Sequence, residues 1–182
     1  SGHIPKDDGR MRLIGKPALQ EKTVQKAIQL VVEPILAAHS SDASHAYRPG
    51  RGTASAISAL TTILESAPEG THIVKLDIRG CFDNIRYKTL YGVLKKYIND
   101  KKLFRLLCHF FDCGRIEENG KCRPLYRGLP QGSVLGPLFC NAYLSELDRF
   151  LEEDKSCRHV RYSDDVILTV QGTEEDARRK LA

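Results

Sequence analysis

Tyr162-Ser163-Asp164-Asp165 stands between two runs of β-forming residues, and a third aspartate, Asp77, lies at the end of another such run, Ile73-Val74-Lys75-Leu76-Asp77-Ile78. Adjacent carboxylates at a hairpin tip put hard oxygen donors where solvent, a nucleotide and a divalent cation can meet. Two such ions about 4 Å apart would activate a hydroxyl nucleophile and stabilise a departing pyrophosphate, the chemistry of a two-metal polymerase site. The tetrapeptide is equally ordinary turn chemistry, since Asp and Ser favour turns. Taken singly, Asp77 also reads as a strand-end residue bound to a neighbouring turn.

These carboxylates need a sheet to carry them. The run 73–78 is short and rich in β-branched residues, which predicts a largely buried strand with Asp77 at its C-terminal end. His159–Tyr162 and Val166–Val170 predict a strand pair joined through Ser163, Asp164 and Asp165. Helices are expected around it. Val24, Ala27, Ile28, Val31, Val32 and Ile35 follow helical spacing from Leu19, with Pro34 kinking or ending that helix. A second helix is expected over Thr53–Leu64. A third carries Leu90, Val93, Leu94, Tyr97 and Ile98 on one face and Lys95 and Lys96 opposite.

A further helix is expected over 102–111, then a hairpin from Arg115 to Tyr126 turning at Asn119-Gly120. A long helix follows from Leu135, with Pro137 in its first turn and Leu138, Phe139, Ala142, Tyr143, Leu147 and Phe150 on its apolar face. The order predicts an α+β (α/β mixed) domain: an antiparallel sheet backed by helices, with Asp77 and the Asp-Asp turn on neighbouring strands. A polar helix starts at Thr173, and the chain stops at Ala182 before it could complete a βα unit, so truncation is expected.

The 182 residues suffice for one domain with a full core, and 41% apolar with 28% charged residues excludes a disordered chain. A net charge of +5 is compatible with a nucleic-acid partner and does not establish one. The six cysteines include no C-x-x-C pair, so they read as reduced structural thiols, and zinc is left out. No apolar run is long enough to span a bilayer and the first residues carry no signal pattern, so a cytoplasmic location and no membrane partner are expected.

Several motifs then occur in order. Ile4-Pro5-Lys6, Gly9-Arg10 and Arg12-Leu13-Ile14-Gly15-Lys16-Pro17 are followed by Glu21-Lys22-Thr23-Val24-Gln25 and by Tyr47-Arg48-Pro49-Gly50-Arg51. After these come Asp77-Ile78-Arg79-Gly80-Cys81-Phe82-Asp83, then Gly128-Leu129-Pro130-Gln131-Gly132-Ser133 through Leu138, and finally the Asp-Asp tetrapeptide. Any one of these is weak, and their ordered sum is specific. From about Ile4 to Val170 the chain resembles reverse transcriptases of the bacterial group II intron type.

That resemblance implies fingers mainly over 1–72 and palm mainly over 73–182, with 86–130 partly returning to fingers or connection, and a thumb and C-terminal regions absent. It implies that Asp77 and Asp164 hold two Mg²⁺ ions, for which Mn²⁺ could substitute, with help from Asp165 and the Ile78 carbonyl. Phe82 matches a steric gate whose ring excludes a ribose 2′-hydroxyl; its plainer reading is a core aromatic. Arg12 and Lys22 match positions that grip the incoming triphosphate, and Gln131 would lie against the nucleotide. Arg48 and Arg51 would contact the template backbone, which sets register without reading sequence. Surface charge, and for Gln131 a buried turn amide, are the alternatives. Lys16 receives no role.

The implied activity is RNA-directed DNA synthesis in a bacterial cytoplasm, with dNTPs, an RNA template and a primer-template duplex as partners. The protein's own intron RNA and a second copy of the chain are further candidate partners. Ser163 replaces the family's commoner Ala, which leaves open the retron, CRISPR-linked and defence subgroups. Without a thumb, weak and distributive activity is expected. An RNA-binding maturase scaffold that assists splicing is the alternative, and an RNA-copying RNA polymerase is disfavoured by the ring of Phe82.

Overall fold

The computed structural model describes residues 2–5, 11–15, 17–112, 114–116, 122–123 and 125–179; for 2–5, 11–14, 112, 115–116 and 122–123 it describes the backbone alone. Lys6, Gly9, Arg10, Lys16 and the expected Asn119-Gly120 turn lie outside the described residues. In chain order the elements are β1 (Gly2–Pro5), β2 (Met11–Ile14), α1 (Leu19–Ala37), α2 (Thr53–Glu65), β3 (His72–Asp77), α3 (Cys81–Asn84) and α4 (Tyr87–Tyr97). There follow α5 (Lys101–Asp112), β4 (Arg115–Ile116), β5 (Cys122–Arg123), α6 (Gly136–Glu153), β6 (Cys157–Tyr162), β7 (Asp165–Val170) and α7 (Glu174–Arg179). They divide into two units, Ser1–His39 with Gly80–Tyr143, and Ser40–Arg79 with Leu144–Ala182.

The second unit holds a three-stranded antiparallel sheet in the order β3-β7-β6. Val166, Leu168 and Val170 of β7 are fully buried and join Leu151, Cys157 and Ala177, with Val74, Leu76 and Leu147 packed against them. Burial of apolar area on this scale is the main drive for the sheet to form. β3 departs from the largely buried strand expected: Val74 and Leu76 point inward while Ile73, Lys75 and Asp77 are exposed, Ile73 by 61%. It is an edge strand with one covered face, so its side chains alternate. That alternation leaves Asp77 facing water.

α2 packs on β6, where the Arg158 guanidinium donates to the Ile63 carbonyl at 3.2 Å and the Ser66 hydroxyl at 2.8 Å. α7 begins with a reciprocal cap, in which Asp176 accepts the Thr173 N–H and the Thr173 hydroxyl accepts the Asp176 N–H. In the second half of α6, Leu144, Asp148 and Leu151 are buried, whereas Phe150, expected on the apolar face, is 69% exposed.

In the first unit α1 runs through Pro34 for three more residues and ends at Ala37. Its buried stripe is Gln25, Ile28, Val32 and Leu36, whereas Val24 and Val31, expected to face the core, are exposed. Their apolar spacing fits more than one helical face, and the packed side is set by tertiary contacts. α4 buries Tyr87, Leu90, Val93 and Leu94 and exposes Lys95 and Lys96, as expected. Phe111 links Tyr87 and Phe139, with ring centroids 5.2 and 5.1 Å apart. β1 pairs with β2, and β4 with β5, both antiparallel. Among the described residues no helix is long and apolar enough to cross a membrane.

Candidate active site

The register of β3 against β7 sets Asp77 opposite Asp165, and that of β6 against β7 sets Tyr162 opposite the same residue. Ser163 and Asp164 form the turn between β6 and β7. The Asp164 carbonyl accepts the Ile78 N–H at 3.2 Å, which continues the pairing one residue past β3. All three aspartates therefore gather at one end of the sheet, Asp77 and Asp165 exposed and Asp164 half-buried. Lys75 shares the outer face of β3 with Asp77, and its Nζ lies 3.6 Å from Asp165 Oδ1. Both partners are exposed, so water screens this pair.

Carboxylates on neighbouring strands, open to solvent, have the donor chemistry of a site for a hard divalent cation that completes its shell with water and phosphate oxygens. Among the described residues no three His, Cys, Asp or Glu side chains converge into a ready cluster. The fit is thus one of donor type and placement.

Behind the turn lies a buried polar network that the sequence reading passed over. Ser163 has φ of 60°, in the left-handed region unusual for a residue with a side chain, and among the described residues its buried hydroxyl has no hydrogen-bond partner. Its carbonyl accepts Arg161 Nη1 at 3.0 Å. Arg161 Nε and Nη2 grip the two oxygens of Asp148 at 2.7 and 2.6 Å, and Nη2 also donates to the Ser44 hydroxyl at 2.8 Å. His159 Nε2 lies 3.3 Å from Asp148 Oδ1. The Arg161 main chain is held as well, its N–H by the Ala43 carbonyl and its carbonyl by the His45 N–H.

Burial pushes the Asp148 carboxyl up, but hydrogen bonds from Arg161 and His159, together with the nearby positive charge, outweigh that and hold it below its usual range. A signal for this network existed in the sequence. Leu144, Asp148 and Leu151 share a helical stripe, and a carboxylate inside an apolar stripe needs a buried partner.

In the other unit the Gly128–Val134 loop is held mainly by main-chain bonds. Gly128 donates to the Ile85 carbonyl at 2.9 Å, its own carbonyl accepts the Tyr87 hydroxyl at 2.7 Å, and Leu129 N–H donates to the Phe82 carbonyl at 2.8 Å. Glycine is required at 128, where φ is +90° and a Cβ would meet the Asp83 carbonyl at 3.2 Å. Phe82, in α3, is half-buried, and its ring edge lies 3.7 Å from where a Cβ of Gly136 would stand. Gln131 accepts the Gly15 N–H on its carbonyl at 2.7 Å, while its buried Oε1 has no partner among the described residues.

Gln25 supplies the loop's side-chain anchor. Its Oε1 accepts the Ser133 hydroxyl at 3.0 Å and the Val134 N–H at 2.8 Å, and its Nε2 donates to Glu21 at 3.1 Å. The one sequence hint was an amide in line with Ile28, Val32 and Leu36.

The expected basic contacts are dispersed. Arg12 lies on β2 opposite Ile4, and its side chain is outside the described residues. Lys22 is exposed on the first turn of α1. Arg48 donates to the Ser41 and Ser44 carbonyls, and Arg51 to the Asp42 carbonyl and carboxylate. Both arginines thereby brace the 41–51 loop. His45, buried in this loop with Nδ1 2.9 Å from the Ser55 hydroxyl, is pushed below its usual value by burial and then by the charges of Arg51 and Arg48.

Comparison with known proteins agrees with this architecture. Residues 4–182 match the family described as "Reverse transcriptase (RNA-dependent DNA polymerase)". The group II intron-encoded protein LtrA of Lactococcus lactis subsp. cremoris is 38% identical over 80% of this chain and 24% of its own length. Protein YkfC of Escherichia coli K12 is 28% identical over 94% of this chain and 54% of its own. The chain thus spans about a quarter to a half of these relatives. Among solved structures, apo telomerase from Candida tropicalis superposes with a TM-score of 0.68 at 18% identity, covering 98% of this chain and 44% of that one, a likeness of fold.

Proposed function

The chain belongs to the reverse transcriptase (RNA-dependent DNA polymerase) family, in its group II intron branch, and from that premise we propose that it is the fingers and palm of an enzyme that copies RNA into DNA. The observation that carries this reading is the register that sets Asp77 opposite Asp165, with the Asp164 carbonyl bonded to Ile78. In the reaction a primer 3′-oxygen attacks the α-phosphorus of a dNTP. One P–O bond forms, the bond to the β-phosphate bridge breaks, and pyrophosphate departs.

Asp77 and Asp164 would hold two Mg²⁺ ions, or Mn²⁺ in their place, with Asp165 and the Ile78 carbonyl assisting. Bound there, the cations lower the pKa of the attacking hydroxyl and neutralise charge on the leaving oxygens. With Asp77 and Asp165 exposed, room would remain for phosphate oxygens among the ligands. Phe82, its main chain bonded to Leu129, would present its ring to the 2′ position of the sugar. Gln131 would use its Oε1, unpartnered among the described residues, beside the nucleotide.

Arg12 and Lys22 would grip the triphosphate, and Arg48 and Arg51 the template backbone. A guanidinium has five N–H donors, so a loop contact and a phosphate contact can coexist on each arginine. We assign 1–72 mainly to fingers and 73–182 mainly to palm, with 86–130 partly returning to the fingers.

The test is Mg²⁺-dependent primer extension on an RNA template by residues 1–182, by a chain lengthened to match LtrA, and by Asp164→Asn in both. Extension that disappears in the variant supports the reading, with the short chain weaker and less processive. Preference for rNTPs over dNTPs would remove Phe82 from the role of gate. Tight RNA binding with no extension from either length would favour a maturase scaffold instead, a role in keeping with the similarity to an intron-encoded protein.

A further inference from the structure

The pairing of Tyr162 with Asp165 closes the aspartate turn at its base. Ser163 adopts a left-handed backbone, and among the described residues its own hydroxyl has no partner that could brace it. Beyond that pairing, and among the described residues, two bonds reach the carbonyls of the turn: Ile78 N–H to the Asp164 carbonyl, and Arg161 Nη1 to the Ser163 carbonyl at 3.0 Å. All three nitrogens of the Arg161 guanidinium are engaged, Nε and Nη2 on Asp148, Nη2 also on Ser44, and Nη1 on the turn. The plane of that guanidinium is therefore set by α6 through Asp148 and by the 41–51 loop through Ser44. The peptide between Ser163 and Asp164 is set by the guanidinium in turn.

A buried ion pair is poor evidence of a stability role, because desolvation offsets much of its attraction and an apolar pair of similar volume often serves the core as well. What an apolar pair could not do is donate to Ser163. We propose that Arg161, clamped by Asp148, is a positioning residue that fixes the Ser163 peptide and thereby the direction in which Asp164 offers its carboxylate to a divalent cation. The cation part of this rests on the polymerase reading; the mechanical part does not. Lysine could keep the charge but not the planar three-nitrogen fork.

The test compares the unaltered chain with Arg161→Lys and with the double variant Arg161→Met, Asp148→Leu, which removes both charges together. Amide hydrogen exchange reads the turn, and Mn²⁺ titration followed by electron paramagnetic resonance reads the cation site without turnover. Exchange is expected to speed up at Ile78 and at residues 163–165 while α1, α4 and residues 166–170 of β7 keep their protection. The apparent Kd for Mn²⁺ should rise about 10-fold, in the range that outer-shell partners of metal ligands usually command. In extension assays the half-saturating Mg²⁺ should rise and kcat fall, with KM for dNTP little changed.

Unchanged turn protection and Mn²⁺ affinity in either folded variant would overturn the proposal. So would loss of protection spread evenly over the sheet, which marks a merely structural pair. If the double variant does not fold, Arg161→Lys decides the matter alone. Failure of the polymerase reading looks different: the unaltered chain binds no Mn²⁺, or Asp164→Asn extends undiminished, while the exchange result still reports on Arg161.

Discussion

The Ser163–Asp164 turn and the Gly128–Val134 loop each depend on a side chain reaching in from elsewhere in the chain, and the two anchors are chemically opposite. At the turn the anchor is the Arg161–Asp148 pair, charged, bidentate and buried, acting on a residue with a strained backbone. At the loop it is the neutral amide of Gln25, accepting from Ser133 and Val134, and the positive φ values fall on Gly128 and Gly132, which adopt them without strain. A charged fork is directional and resists reorientation, which would suit a carboxylate in the proposed role of cation ligand. A neutral amide between main-chain groups would let a glycine-containing loop approach the proposed nucleotide with little side-chain bulk.

That contrast can be broken in several ways. The largest effect is expected at Asp164→Asn, which removes the proposed cation ligand from the turn without changing its shape. Extension should fall by about 10³-fold, corresponding to the several kcal/mol of charge stabilisation a bound cation supplies. Hydrogen exchange at the turn should stay as it was, and a variant with more than a tenth of the original rate would detach the turn from catalysis.

Stability comes next. Asp148→Ala strands the Arg161 charge in the interior and should cost about 3–5 kcal/mol, read as a lower urea midpoint for unfolding. Gln25→Ala leaves the Val134 N–H without an acceptor and should cost only about 1–3 kcal/mol. Equal losses would mean that the two anchors differ less than their chemistry indicates.

The smallest effect is with pH. The Asp148 carboxyl is depressed in the fold, so its contribution is present above its ordinary value of 3.8 and fades as pH falls through the lower folded value. His45 is depressed too, so the unfolded chain takes up its proton first and stability starts to decline as pH drops below 6.5. Both groups belong to the sheet unit, so hydrogen exchange in mild acid should show β6, β7 and the 41–51 loop opening before α1 and α4. His45→Gln should flatten the upper part of that decline, and an unaltered slope in that variant would exclude His45 as its source.

Much of the architecture was legible because its causes are local. Thr53–Glu65 and Tyr87–Tyr97 follow from apolar periodicity, and β6, β7 and the turn between them from alternation interrupted by Ser and Asp. The elements misjudged were those whose exposure depends on what covers them. Ile73 and Phe150 look like core residues by type, yet both lie on uncovered faces, and α1 buries Gln25 in place of Val24. Residue type sets a preference for burial, but neighbours decide whether it is met.

By itself the sequence determined the order of strands and helices from α1 onward, apart from the single turn of α3, the place of Asp77 at a strand end and of Asp164 in a turn, and the motifs that carry the family resemblance. Periodicity, propensity and turn chemistry act over a few residues, so they can be read in line. Only the tertiary structure decided that Asp77 faces Asp165, that Arg161 finds Ser44 from 117 positions away, and that Ser133 reaches Gln25 across 108. Register and buried partners are properties of packing between distant segments: a one-residue slip would turn every side chain of β3 to the other face, and a buried charge has nothing in its local sequence to name its counterpart.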